Sequence, residues 1–283
     1  MTEKQGMTFL VSDGLKIAAD VAGPKGGKPV LLLHGGGQTR GSWRDTIDVL
    51  AARGHRAYAL DARGHGDSDR SPSGDYTPDS FSRDLKDVIR QIGEDVVVIG
   101  ASLGGINGLL AAGEGGPGAV STLVLVDVAV QTNPYGVKRI QDFMQANPDG
   151  FASLDDAADA VAAYAVDRPR PAANDGLLRN LRKVGEKYYW HWDSRFLGSW
   201  HPSHAAAMGR LEAAARALEI PVLLVHAAHS DVVGPREIAH LRSLVPHAEY
   251  MRVENASHMV VGDKNSTFNE TILAFLAHVT SVE

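Results

Sequence analysis

The amino-acid sequence predicts an α/β protein whose mostly parallel sheet is covered by helices on both faces. Short continuous apolar runs recur along the chain, and longer amphipathic segments separate them. Continuous apolar runs are typical of strands that are buried on both faces, as in parallel sheets. In addition, the pattern Gly-x-Ser-x-Gly at residues 100–104 follows one such run and precedes a helical pattern. That setting indicates a sharp turn from a strand into a helix.

Composition narrows the class of protein. With 283 residues, the chain is long for one hydrophobic core but fits a single α/β domain with an insertion. Its net charge is −6 with both signs scattered, which argues against binding to nucleic acid. The chain has no cysteine, which excludes disulfides and thiolate chemistry. No apolar run approaches the roughly 20 residues of a membrane span, and the N-terminus is polar, so we expect a cytoplasmic protein without a membrane partner.

Eight strands are expected in the sheet. Residues 8–11 and 16–21 alternate apolar and polar residues around a turn, which predicts an antiparallel hairpin at the start. Six further strands are predicted at residues 29–33, 56–60, 96–99, 123–126, 221–225 and 249–253. Helical patterns lie at residues 43–53, 80–92, 103–112, 236–244 and 265–279. A closed eight-stranded barrel is the alternative, but the hairpin and the insertion described next argue against it.

The strand pattern disappears between residues 131 and 217, where helical patterns occupy residues 137–146, 154–165 and 176–184. An insertion of this length with its own apolar periodicity predicts a helical lid after the sixth strand. We therefore expect a core domain of residues 1–130 and 218–283 and a cap of residues 131–217.

Aromatic residues are concentrated near the end of this cap. We expect most of them to pack between cap and core. Trp190 and Trp192 are candidates for a wall that faces the substrate, and Phe143 and Met144 on the first cap helix are candidates for the same wall. Trp200 belongs to the same concentration of aromatic residues as the two tryptophans. Such a wall would favour apolar or aromatic groups.

Ser102 is the candidate nucleophile. A turn from strand to helix strains the backbone, and the neighbouring glycines keep the turn free of side chains. The turn lifts the hydroxyl above the sheet, and the first N–H groups of the following helix point at any anion that forms there.

A nucleophilic serine needs a base, and the base needs a carboxylate that orients it. His258 is the candidate base because it lies between the last strand and the last helix and can reach over the edge of the sheet. Asp231, in the loop after strand 221–225, is the preferred carboxylate. Asp127, at the end of strand 123–126, is the alternative.

A glycine-rich loop follows strand 29–33 and begins at His34. Glycines let the backbone turn back sharply toward the nucleophile. We predict that the N–H groups of Gly36 and Leu103 bind the oxyanion of a tetrahedral intermediate. His34 is expected to pin the loop, and residues 61–68 are expected to brace the same edge.

In their order along nearly the whole chain, these motifs resemble the alpha/beta-hydrolase superfamily. They are His34-Gly35-Gly36-Gly37, Asp61-x-Arg63-Gly64-x-Gly66-x-Ser68, Gly100-x-Ser102-x-Gly104-Gly105, Asp231 and His258. The resemblance implies an alpha/beta-hydrolase fold, the triad Ser102–His258–Asp231, an oxyanion hole from Gly36 and Leu103, and a helical cap over the pocket. Within the superfamily the chain is most similar to bacterial carboxylesterases, lactonases and the cofactor-free haloperoxidase or perhydrolase-like group. Epoxide hydrolases and haloalkane dehalogenases of this fold carry an aspartate in place of Ser102, which argues against both activities.

We therefore expect a serine hydrolase that cleaves a small-molecule carboxylic ester or lactone without a metal or organic cofactor. His226 and His229 stand close together in sequence, but no third ligand lies nearby, so no metal site is predicted. Three alternatives remain: a perhydrolase, a carbon–carbon bond hydrolase and a hydrolase-fold small-molecule receptor that keeps the triad but turns over very slowly. Carbon–carbon hydrolases usually continue the glycine loop with Gly-Pro, where this chain has Gly37-Gln38. A homo-oligomer is also left open.

Overall fold

An eight-stranded sheet with helices on both faces forms the centre of the molecule, as predicted. The computed structural model describes residues 4–116, 118–165, 170–172, 175–199, 205–254, 256, 258, 261 and 266–280. The strands in this part of the chain are β1 (Gln5–Leu10), β2 (Lys16–Ala22), β3 (Pro29–Leu33), β4 (Arg56–Leu60), β5 (Val96–Ala101), β6 (Val120–Val126), β7 (Leu181–Val184), β8 (Lys187–Trp190), β9 (Val222–Ala227) and β10 (Glu249–Val253). The helices are α1 (Arg44–Ala52), α2 (Pro78–Ile92), α3 (Leu103–Glu114), α4 (Pro134–Gln145), α5 (Leu154–Tyr164), α6 (Asp175–Leu178), α7 (Phe196–Ser199), α8 (Ala205–Arg216), α9 (Pro235–Leu244) and α10 (Ser266–Thr280), with a 3₁₀ turn at Arg40–Trp43 before α1.

The order of strands in the sheet is β1-β2-β4-β3-β5-β6-β9-β10. Strand β2 runs antiparallel to β1 and β4, and all other neighbours are parallel. Ala101 pairs with Val126, and Val126 pairs with Val225, so β5, β6 and β9 end at one edge. Because the loops after parallel strands leave from the same edge, that edge collects the candidate residues.

Two hydrophobic clusters cover the two faces of the sheet. Leu31 and Val98 lie in the cluster beneath α2, α3 and α9, whereas Leu32 and Ile99 lie in the cluster beneath α1 and α10. Successive residues of a strand point to opposite faces. Both faces are buried here, which is why the central strands are continuous apolar runs in the sequence.

The region predicted as the cap differs from the prediction in more than one element. Helices α4 and α5 lie where they were predicted, but of the helix predicted over residues 176–184 only the short α6 is present, and the rest of the prediction is wrong. Instead, β7 and β8 form an antiparallel hairpin that pairs Leu181 with Trp190 and Val184 with Lys187. Gly185 in the two-residue turn has φ +60°. Glycine tolerates this conformation, which suits the tight turns of hairpins.

Helix α8 was not predicted, and it packs against α3 beside the sheet. Leu211 and Ala214 belong to the same buried cluster as Leu109. A Cβ on Gly113 would lie 2.3 Å from the carbonyl oxygen of Ala214, so the close approach of α3 and α8 requires glycine there. The last helix of the region predicted as the cap therefore packs against the core. No helix in the described part of the chain is long and apolar enough to cross a bilayer.

Candidate active site

Ser102 lies in the turn between β5 and α3 with φ 46° and ψ −114°. Non-glycine residues rarely adopt a positive φ, and such strain costs about 1–3 kcal/mol. The packing of the turn maintains it: a Cβ on Gly100 would lie 2.4 Å from the oxygen of Gly104, and a Cβ on Gly104 would lie 2.4 Å from the oxygen of Leu33. Both glycines of the motif are therefore required by the close approach of α3 to the sheet.

Ser102 lines a cavity of about 600 Å³ at this edge. His258, Gly36 and Leu103 line the same cavity, so the structure brings the predicted nucleophile, base and oxyanion donors together. Apolar side chains form most of its wall: Ile106, Val128, Val130, Val137, Ile140, Phe143, Met144, Trp192, Phe196, Leu197, Met208, Leu211, Val232 and Val261.

Asp127 is the carboxylate that orients His258. The Nδ1 atom of His258 lies 2.7 Å from Oδ2 of Asp127, whose side chain is 1% exposed. Ser230 donates its hydroxyl to the same oxygen at 2.6 Å, and the N–H of Ala227 donates to Oδ1 at 2.9 Å. An ionised carboxylate only accepts hydrogen bonds, so Nδ1 of His258 carries the proton. The Nε2 atom is thereby left as the base.

The prediction that Asp231 orients His258 is wrong. Asp231 accepts a hydrogen bond from Nη1 of Arg139 on α4 at 2.7 Å. Asp127 has φ +48°, and its carboxylate meets the backbone at the end of β9, whereas the loop after β9 directs Asp231 toward the cap. Arg139 also donates to the oxygen of Tyr164 at the end of α5. Asp231 is therefore linked through Arg139 to both α4 and α5.

The N–H groups of Gly36 and Leu103 are available to an anion. Leu103 is the first residue of α3, so its N–H has no intrahelical acceptor. The N–H of Gly35 donates to Gln38 at 3.0 Å, and that of Gly37 donates to His65 at 3.2 Å. By contrast, no residue that the structure describes accepts the N–H of Gly36.

Hydrogen bonds to Gly35 set the direction of the Gly36 N–H. The carbonyl oxygen of Gly35 lies 2.8 Å from Nδ1 of His34 and accepts the N–H of Gln38 at 3.1 Å. Nε2 of His34 accepts the N–H of Ala62 at 2.9 Å, so the proton of His34 is on Nδ1. Because the C=O and N–H of one planar peptide point in opposite directions, these bonds turn the Gly36 N–H away from His34. The expectation that His34 pins the loop is confirmed.

The loop at residues 61–68 braces the same edge, as expected. Asp61 is fully buried, pairs with Arg40 and accepts the N–H of Asp67 at 2.9 Å. A Cβ on Gly66 would lie 2.1 Å from the Asp61 carboxylate, which leaves space only for glycine. The hydroxyl of Ser68 donates to the backbone oxygen of Asp61 at 2.7 Å.

Three of the four predicted wall residues line the cavity, namely Trp192, Phe143 and Met144. Trp190 does not line it. Its ring stacks on Trp192 with centroids 5.0 Å apart and is packed against Phe143 and Phe151. Trp190 therefore supports the wall from behind. Phe196 and Leu197 of α7 also line the cavity and were not predicted as lining residues, whereas Trp200 lies outside the described residues.

Comparison with known proteins identifies relatives along most of the chain. The sequence model of the alpha/beta hydrolase fold matches residues 28–265. The chain is 29% identical over 265 residues to an esterase of Mycobacterium tuberculosis, covering 87% of this chain and 82% of the esterase. A solved structure of that esterase superposes with a TM-score of 0.78 at 26% identity, covering 98% of this chain and 92% of the other.

Two further relatives differ in their named activities. An sn-1-specific diacylglycerol lipase of Mus musculus is 28% identical over 258 residues, covering 88% of this chain and 80% of the lipase. A non-heme chloroperoxidase of Kitasatospora aureofaciens is 28% identical over 267 residues, covering 88% of this chain and 92% of the relative.

Proposed function

Because the chain belongs to the alpha/beta hydrolase fold family and is a serine hydrolase of that fold, we propose that it cleaves a carboxylic ester or lactone. The observation that carries this proposal is the hydrogen bond of 2.7 Å between His258 and buried Asp127, beside the cavity that Ser102 lines. A carboxylate on Nδ1 makes Nε2 the proton acceptor that a serine nucleophile requires.

In the proposed reaction, the Ser102 oxygen attacks the carbonyl carbon while Nε2 of His258 takes the hydroxyl proton. Asp127 stabilises the imidazolium that forms. The N–H groups of Gly36 and Leu103 bind the oxyanion, and each such donor contributes about 3–4 kcal/mol in enzymes where one has been removed. His258 then protonates the leaving alcohol, and the acyl group stays on Ser102.

Deacylation repeats these steps with water. His258 takes a proton from the water, whose oxygen attacks the acyl carbon. The bond to the Ser102 oxygen breaks, that oxygen regains its proton from His258, and the carboxylic acid leaves. For a lactone, the leaving alcohol remains attached to the acyl group, so the product is a hydroxy acid.

The cavity supports an ester whose acyl or alcohol part is apolar. Apolar side chains of α4 and α7, together with Trp192, form part of its wall. Burial of apolar groups contributes about 0.8 kcal/mol per methylene, so such a wall selects by size and hydrophobicity. Its volume of about 600 Å³ lies in the ordinary range for small-molecule sites.

Labelling with a fluorophosphonate tests the proposal. We expect one adduct, measured by intact-protein mass, on the wild type and on Ser243→Ala, an exposed control serine on α9. Ser102→Ala should give no adduct and no turnover of p-nitrophenyl esters or lactones. An equal adduct on Ser102→Ala, or ester turnover that survives this substitution, would refute the proposal.

Perhydrolysis is a second candidate, because the chain is similar to a non-heme chloroperoxidase. It uses the same acyl-enzyme, which hydrogen peroxide attacks in place of water to give a peracid. With a halide present for the peracid to oxidise, halogenation of an indicator should depend on acetate, peroxide and Ser102 together, and this result would support the reaction. Ester turnover without such halogenation would favour hydrolysis alone.

A further inference from the structure

Three buried histidines lie in a row behind the glycine loop. The ring of His65 is 5.2 Å from that of His34 and 5.8 Å from that of His191, measured between centroids. Each accepts a backbone N–H at one nitrogen and faces a backbone carbonyl with the other. A ring that accepts at one nitrogen and donates at the other is neutral, so each tautomer is fixed by its surroundings.

His191 comes from the cap, directly after β8. Its Nδ1 accepts the N–H of Gly66 at 2.8 Å, so its proton is on Nε2, which lies 3.3 Å from the oxygen of Gly37. From the other side, Nε2 of His65 accepts the N–H of Gly37 at 3.2 Å. Both peptide groups of Gly37 are therefore held by imidazoles, one from the core and one from the cap.

Gly37 immediately follows the oxyanion donor Gly36 and has φ +75°. Glycine has the largest backbone freedom of any residue, so this conformation needs external contacts to be maintained. We propose that His191 is a positioning residue that fixes the backbone at Gly37 and thereby holds the Gly36 N–H toward the oxyanion. This inference rests on the proposed function, and it assigns to the cap a part in completing the oxyanion hole.

Packing around the loop supports this assignment. His191 is 3% exposed, and burial, followed by the neighbouring His65 and His34, keeps its pKa well below the ordinary value. It therefore stays neutral in the working range of a serine hydrolase. Trp192, the next residue, lines the cavity, and a Cβ on Gly37 would lie 3.3 Å from its ring. The same cap segment thus contacts the loop through a hydrogen bond and through packing.

Two substitutions separate the two bonds of His191. His191→Gln can keep an N–H donor near the position of Nε2 and so preserve the bond to Gly37. His191→Asn can keep an acceptor near the position of Nδ1, which preserves the bond to Gly66 and removes the donor to Gly37. His247→Asn is the matched control, because exposed His247 also contacts a backbone carbonyl through Nε2, that of Ile220.

For His191→Asn we expect kcat to fall by about tenfold to a hundredfold, less than the loss of about 10² to 10³ for deleting a hole donor. KM should change little, and the Ki of a trifluoromethyl ketone, whose adduct places an oxyanion in the hole, should rise in parallel with the loss of kcat. His191→Gln and His247→Asn should stay near the wild type. Equal losses in Asn and Gln, or a change in KM alone, would overturn the proposal and assign His191 to packing.

The tautomer of His191 gives a second measurement that does not depend on a stable variant. Long-range ¹H–¹⁵N NMR of the wild type should show the Nε2–H form of His191, unchanged between pH 8 and pH 5. An Nδ1–H form, or titration near pH 6.5, would overturn the proposal even if His191→Asn does not fold. Fluorophosphonate labelling of the wild type is the separate test of the proposed function: its failure would show that Ser102 is not activated, whatever His191 does.

Discussion

Replacing Asp127 with asparagine tests which carboxylate orients the base. The asparagine Oδ1 can keep the N–H of Ala227, which places its NH₂ group where Oδ2 now meets His258 and Ser230. The Ser230 hydroxyl can rotate to accept. Nδ1 of His258 has no such freedom, because meeting an NH₂ donor requires it to give up its proton. The proton then moves to Nε2, which faces the nucleophile with a donor in place of an acceptor.

The size of this effect follows from the tautomer. In a serine protease, the corresponding Asp-to-Asn change lowers kcat by about 10⁴. This loss corresponds to about 5 kcal/mol of transition-state stabilisation. His258 is only 12% exposed, so solvent offers little replacement for the carboxylate. We therefore expect Asp127→Asn to lower kcat by about 10³ to 10⁴.

Asp231→Asn is the matched comparison, since it removes one carboxylate charge at the same edge of the sheet. Its partner Arg139 is 38% exposed and Asp231 is 25% exposed. A pair of this exposure contributes about 1 kcal/mol or less to stability. We expect kcat within about threefold of the wild type and a small decrease in the free energy of unfolding.

The assay is the steady-state hydrolysis of a p-nitrophenyl ester by both variants, with circular dichroism and urea unfolding to show that each is folded. The reasoning would be refuted if Asp127→Asn kept kcat within tenfold of the wild type. A loss of about 10³ in the kcat of Asp231→Asn would also refute the reasoning, because it would show that Asp231, the carboxylate preferred from the sequence, orients His258.

Two further predictions concern stability. Burial lowers the pKa of His34 to about 4 and that of His65 to about 3. The unfolded chain binds a proton at each of these histidines below about pH 6.5, whereas the folded chain does so only at lower pH. The free energy of unfolding should therefore keep its full value above that pH and fall by about 2 kcal/mol per histidine at pH 5. Equal free energies of unfolding in urea at pH 7.5 and pH 5 would contradict this. Gly104→Ala would place a Cβ 2.4 Å from a backbone oxygen of β3 and should destabilise the protein by about 1–3 kcal/mol. Gly209→Ala, with open space on α8, should stabilise it by about 0.5–1 kcal/mol, and thermal melts in which both variants shift alike would refute the steric argument.

Features that depend on local burial and backbone geometry could be predicted from the sequence. Leu31 and Leu32 point to opposite faces of the sheet, and both are buried. Each central strand is therefore a continuous apolar run in the sequence and could be predicted from it. The turn at Ser102 could be predicted for a related reason: its strained backbone and close packing require glycine two residues before and two residues after the serine. The hairpin of β7 and β8 was missed because its strands are short and largely exposed, so they lack a burial pattern.

The carboxylate of the triad was decided by tertiary structure alone. Asp127 and Asp231 both follow strands that end at one edge of the sheet, and the sequence around each is compatible with the role. They differ in the direction of the backbone beyond the strand, which brings one to His258 and the other to Arg139. Likewise, Trp190 and Trp192 differ only in depth within one aromatic stack. Local sequence patterns record whether a residue is buried or strained, whereas these contacts depend on where distant loops meet in space.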